Sequence, residues 1–296
     1  MPSTHSPGHV SARPTFLFVH GGSSNAQAWG PLRNELALLG HRSYAVDLPG
    51  HGVGARRPAA YYSARQDTGA LAAEPSPMRG VTLEDNVRHV VGVVQRLAEH
   101  GPVILAGNSL GGVTISAVGN AVPELLARIV YISATCLSDT RMLTEAWDVP
   151  EGEENLLDAA AARIELPGTQ ANGFARLNWR AAQDDPELFA RLKAAIMADA
   201  TDDLFRALLD SMDPDEGYAV VAPGCVVRAD RWGRVPHSFL RLTADRSIPL
   251  TVQDRMIAQA DALTPDNPFD VHDLAASHVG YFSRPAEFAR VLAGLV

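Results

Sequence analysis

Pro102-Val-Ile-Leu-Ala-Gly107-Asn-Ser109-Leu-Gly-Gly112 is the stretch that decides how this chain is read. Pro102 to Ala106 is a short apolar run, the pattern of a strand buried on both faces. Leu110 to Val122 reads as a helix. Between them stands Gly-x-Ser-x-Gly. The small residues there have a mechanical reason. The serine sits on a sharp, strained turn, where larger flanking side chains would collide with neighbouring backbone. Such a turn exposes the hydroxyl at the carboxyl edge of a sheet and aims helix N-terminal N–H groups at developing negative charge. The bare pattern also occurs in turns without chemistry. Here the strand before it and the helix after it supply the required context, so Ser109 is the candidate nucleophile.

Similar units lie on both sides. Thr15 to His20, Ser43 to Leu48 and Ile129 to Ala134 read as further strands. Ala26 to Leu39 carries Trp29, Leu32, Leu36 and Leu39 at helical spacing and stops at Gly40. Thr82-Leu-Glu-Asp85 is a capping box opening a helix with Val87, Val90, Val91, Val94 and Leu97 on one stripe. Strands separated by helices of this length predict βαβ units and a parallel sheet. Residues 49–81 form a long irregular loop, of the kind that usually carries function or motion. From 137 to 236 the rhythm breaks. Helical patterns at Pro186 to Ala198 and Asp202 to Met212 appear without buried strand runs. Strands resume at Ser238 to Ala244 and Phe269 to Leu274, and Pro285 opens a last helix. The expected organisation is a flexible segment over 1–13, a core over 14–136 and 237–296, and a helical cap over 137–236.

A serine nucleophile needs a base, and in this strand–turn–helix arrangement the order along the chain is serine, acid, histidine. His278 lies in a loop after the last strand, at the carboxyl edge where Ser109 emerges. His272, within that strand, is expected to point into sheet packing, and His237 stands at the wrong end of its strand. Asp245 ends the strand before it and is the expected acid, orienting the imidazole and stabilising its charged form. Asp139, just after the Ile129–Ala134 run, is the alternative. Two N–H donors are needed for the oxyanion. Leu110 offers one, and the loop His20-Gly21-Gly22-Ser23 offers the other, from Gly22 with Ser23 as the alternative.

The chain has 296 residues, 46% of them apolar and 20% charged, an ordinary globular balance. With 25 basic and 34 acidic side chains its net charge of −9 leaves no electrostatic footprint for nucleic acid or anionic lipid. Two cysteines, Cys136 and Cys225, make no disulfide framework and no zinc spacing. No metal ligand set and no cofactor motif is read. No signal peptide or membrane-length apolar run is recognised, so a cytoplasmic location is expected.

His20-Gly21-Gly22 with Trp29, Asp47-Leu-Pro-Gly-His51-Gly52, the Ser109 turn, Asp245 and His278 together resemble the α/β-hydrolase superfamily. Within it, the chain is similar to the plant methylesterase and hydroxynitrile lyase group and its bacterial relatives. The resemblance spans residues 14–296 and is weakest in the cap and over 53–81. It implies an α/β-hydrolase fold: a mostly parallel sheet of about six strands, flanked by helices and carrying an inserted cap. It implies a cofactor-free serine esterase acting through an acyl-enzyme. Lactone, thioester or C–C cleavage and acyl transfer share that triad, and a non-catalytic ligand-binding protein shares the fold. The lyases place a lysine directly after the catalytic histidine, where this chain has Val279. Asn108 stands where histidine is common and is expected to perturb the site little. Ser23, Trp147, Trp179 and Trp232, with Phe174 and Phe205, are expected as pocket walls. The expected partner is a small apolar ester, and a homodimer is left open.

Overall fold

The computed structural model describes residues 13–139, 155–220 and 223–296. Trp147 and all but the last residue of the 1–13 segment lie outside them. Six strands form one sheet: β1 (Thr15–Val19), β2 (Arg42–Val46), β3 (Val103–Ser109), β4 (Leu126–Ala134), β7 (His237–Leu242) and β8 (Asp270–Leu274). Their order is β2-β1-β3-β4-β7-β8, and every pairing is parallel. Side chains alternate between two faces, as the pleat demands. Phe16 and Phe18 join Trp29, Leu32 and Phe288 in one buried layer. Leu17 and Val19 join Val90, Val94 and Val118 in the other. Burial on both faces is why the runs of the inner strands β1, β3 and β4 are apolar, while the edge strands β2 and β8 carry exposed polar positions.

The order also places the site. After β1 the chain turns to one side to lay down β2, and from β3 onward it builds the other side. The carboxyl ends of β1 and β3 therefore flank the switch point, where open parallel sheets bind ligands. Val19 pairs with Gly107 in register, so the loop after β1 and the turn after β3 emerge side by side.

Several elements differ from their sequence reading. The predicted helix over 26–39 is a 3-10 turn, Ala26–Trp29, followed by an α-helix, Gly30–Leu38. Pro31 at the start of that helix marks the junction. The 49–81 loop is organised. It contains a short helix, Thr68–Ala73, whose Leu71 packs with Tyr61 and Leu166. Buried Arg176 holds it by donating to the carbonyls of Leu71 and Glu74 while pairing twice at 2.6 Å with Asp215. Arg176 and Asp215 belong to an antiparallel ribbon, β5 (Phe174–Arg176) and β6 (Asp215–Gly217), inside the stretch expected to be helical. Strands of three residues are too short for a periodic signal. At the end of that stretch, Arg231 donates to the carbonyls of Asn120 and Ala121 on the core helix Gly111–Ala121. That segment thus lies on the core.

Candidate active site

β3 ends at Ser109, whose φ of +53° is left-handed, a conformation that costs a non-glycine residue about 1–3 kcal/mol. Neighbouring glycines permit it. A Cβ at Gly21 would lie 2.8 Å from the Ser109 Cβ, and one at Gly112 only 2.2 Å from the Thr135 carbonyl oxygen. Close approach of three backbones is what the Gly-rich sequence provides. The Thr135 N–H donates to the Ser109 carbonyl at 2.9 Å and holds the turn from the far side. Leu110 then caps the helix Gly111–Ala121, whose N-terminus faces the site.

His278 is buried, and its Nδ1 stands 2.6 Å from Asp245 Oδ2. The other oxygen of Asp245 accepts from the amides of Ser247 and Ile248, at 2.7 and 2.9 Å. Ser133 donates its hydroxyl to Oδ2 at 2.5 Å. Four hydrogen-bonding partners hold this carboxylate in place. The acid in contact with His278 is Asp245.

Ser109, Leu110, Gly22, Ser23 and His278 open on one cavity of about 330 Å³. Its wall is largely apolar and includes Trp179, whose Nε1 donates to the Asp213 carbonyl at 3.0 Å. Trp232 is not on this wall. It is buried between the rings of His237 and Phe269 and donates to the Tyr131 hydroxyl at 2.9 Å, in the core layer beneath the sheet. Phe174 and Phe205 also pack away from the cavity, Phe205 against Phe189. His272 differs from its expectation as well. On edge strand β8 it is about one-third exposed, 3.1 Å from Asp270. Among the described residues no group of His, Cys, Asp and Glu is arranged to hold a metal ion, and no helix is long and apolar enough to cross a membrane.

A family model described as the alpha/beta hydrolase family matches residues 16–291. The chain belongs to the alpha/beta hydrolase family. It is 26% identical to a pyrethroid hydrolase of Sphingobium wenxiniae, over 94% of this chain and 85% of that protein. It is 22% identical to polyneuridine aldehyde esterase of Rauvolfia serpentina, over 97% of both. The crystal structure of polyneuridine aldehyde esterase superposes with a TM-score of 0.69 at 18% identity, covering 96% of this chain and 99% of that one.

In this member of the alpha/beta hydrolase family, several residues at the site had no sequence signal. Asn108, expected to matter little, donates to the carbonyls of Ile132 and His278, at 2.8 and 3.3 Å. It thereby ties the serine turn to the histidine loop. Asp199 fastens that loop from the other side, accepting from the Ser277 hydroxyl and amide. Glu216 on β6 accepts from the Ser23 N–H at 2.8 Å, so that amide is committed to the carboxylate. His51 lies 3.6 Å from Glu216 and 3.7 Å from Asp213. Burial opposes a charge on His51, yet the two carboxylates outweigh it and push the imidazole up to about 10. Burial likewise works against charge on Glu216, but His51 holds its carboxyl below the usual range. His20 behaves oppositely: burial, then the neighbouring His51, brings it down to about 4. Its partners require a neutral ring. Nε2 accepts from the Leu48 N–H at 3.0 Å, which leaves Nδ1 to donate to the Gly21 carbonyl at 2.8 Å.

Proposed function

We propose that the chain is a serine ester hydrolase that works through an acyl-enzyme on Ser109 and needs no cofactor. His278 Nε2 takes the Ser109 proton as the oxygen attacks the ester carbonyl. Asp245 holds the Nδ1–H and stabilises the imidazolium that forms. The N–H groups of Gly22 and Leu110 receive the oxyanion. His278 then returns its proton to the departing alcohol and activates the water that frees the acid. The observation carrying this reading is the buried 2.6 Å contact of His278 with Asp245, on the cavity into which the left-handed Ser109 opens. Relatives named as a hydrolase and an esterase favour a carboxylic ester over other acyl chemistry. Val279, apolar where the resembling lyases carry lysine, lines the cavity and gives cyanohydrin cleavage no support.

The wall also bears on the substrate. Among the described residues it carries Asp158 and Glu165, with Glu216 paired to His51, and no lysine or arginine. A neutral or cationic apolar ester suits it, and an anionic one is repelled. The test is a panel of p-nitrophenyl esters from acetate to dodecanoate, with Ser109→Ala as control and a hemisuccinate against a neutral ester of equal size. Neutral esters are expected to turn over only with Ser109 present, and the hemisuccinate about tenfold more slowly, a charge effect of about 1.4 kcal/mol. Inactivity toward every ester would overturn the ester reading, and a preference for the hemisuccinate would overturn the charge argument.

A further inference from the structure

We propose that Glu216 is a positioning residue for the oxyanion hole: its carboxylate, reaching in from the β5–β6 ribbon, clamps the Ser23 amide and so fixes Gly22, while His51 balances its charge. This rests on the ester-hydrolase reading above and names what builds one wall of that site.

The segment His20-Gly21-Gly22-Ser23 has two consecutive glycines, and a chain so composed is loose unless something outside holds it. Ser23 itself has a φ of +51°, a left-handed conformation that persists only where the surroundings over-determine it. Both of its backbone groups are fastened by the ribbon and its approach. Glu216 Oε2 accepts from the Ser23 N–H at 2.8 Å, and the Ser23 carbonyl accepts from the Asp213 N–H at 2.8 Å. A Cβ at Gly22 would sit 3.5 Å from the same Oε2, so the carboxylate lies against the residue that is to donate to the oxyanion. Glu216 is only 18% exposed and lines the cavity.

A carboxylate beside a developing oxyanion opposes it unless neutralised. His51 supplies the balance, 3.6 Å from Oε1. His51 is faced in turn by Asp213, by the edge of the His20 ring at 4.8 Å between centroids, and by Arg57 through Asp213 at 3.2 Å. The pair therefore contributes reach and an acceptor oxygen rather than net charge. Two conservative variants separate those properties. Glu216→Gln keeps the reach and the oxygen but loses the charge; Glu216→Asp keeps the charge but loses the reach.

Active sites are counted with a fluorophosphonate, and kcat and KM are measured per labelled serine on a p-nitrophenyl ester. Glu216→Ala and Glu216→Asp should each lose tenfold to a hundredfold in kcat with KM within threefold. Glu216→Gln should recover to within fivefold of the parent protein. A role confined to fold stability would lower the melting temperature and the labelled fraction but not kcat per site, and that result overturns the proposal. So does a Gln variant as impaired as Ala, or a KM rise of tenfold at constant kcat, which would make Glu216 a substrate-binding group. Parent protein that neither labels nor turns over any ester overturns the ester-hydrolase reading, and this proposal falls with it.

Discussion

Asp245 shows most plainly how one residue sets chemistry. Its Oδ1 is taken by two backbone amides and its Oδ2 by Ser133 and His278. In Asp245→Asn the amide oxygen stays with the Ser247 and Ile248 N–H groups, so the new NH2 faces His278. The imidazole then turns its bare nitrogen to that NH2 and its N–H toward Ser109, where it cannot take a proton. A kcat loss of about 10,000-fold with little change in KM is expected from steady-state kinetics. A loss below tenfold would remove Asp245 from the mechanism. The histidines beside the loop after β1 make a prediction about stability. His20, down at about 4 when folded, takes a proton only in the unfolded chain, so its contribution is present above pH 6.5 and lost as pH falls toward 4. His51, up at about 10, contributes fully below pH 6.5 and loses that contribution as pH rises through 10. Thermal melts from pH 4 to 10 should therefore peak near pH 6.5, each limb falling by about 1.4 kcal/mol per pH unit for the one proton involved. His51→Gln should flatten the alkaline limb, and an unchanged limb would contradict the assignment. Ser109, His278 and Asp245 could be proposed from the sequence because each stands at or soon after the end of a strand in a fixed chain order. Glu216 could not. In Asp213-Pro-Asp-Glu216 it reads as a solvated acidic turn, and its partner Ser23 lies 193 residues away.

Among elements, the strand–turn–helix of β3 and the helix after it is held by steric limits that a single methyl group breaks. At Gly112 an added Cβ would meet the Thr135 carbonyl oxygen at 2.2 Å and its nitrogen at 2.6 Å, both backbone atoms that cannot swing aside. Gly112→Ala should cost about 3 kcal/mol or more, seen as a melting temperature lower by about 6–12 °C. A melt like that of the parent protein would show that the loop after β4 yields. The inner strands β1, β3 and β4 were legible because burial on both faces leaves an apolar run, and the edge strands β2 and β8, half-exposed, were legible from their place in the alternation with helices. The β5–β6 ribbon was not, because its pairing rests on buried Arg176 and Asp215, a charge pair that sequence reasoning assigns to the surface. Trp232 was misread for a related cause. Aromatic residues in a cap look like pocket walls, but this one lies where the chain has already returned to the core and packs on Tyr131 and His237.

At the scale of the whole molecule, the segments between β4 and β7 do more than cover the cavity. Asp213 and Glu216 hold the loop after β1, while Ile196 and Asp199 hold the loop bearing His278. The segments between β4 and β7 and the core are thus mutually supporting, and the loop after β1 and the loop bearing His278 are each held by both. The fold was readable from the sequence, because motif and periodicity are local. What shapes the cavity was not, because it depends on contacts across more than a hundred residues, such as Ser23 with Glu216. An activated nucleophile at Ser109 has a direct chemical signature. Intact-mass measurement after incubation with a fluorophosphonate tests it directly. One adduct per chain is predicted, mapped to Ser109 by peptide sequencing, absent from Ser109→Ala and from heat-unfolded protein. Folded protein that takes up no label, or takes it elsewhere than Ser109, would contradict the account.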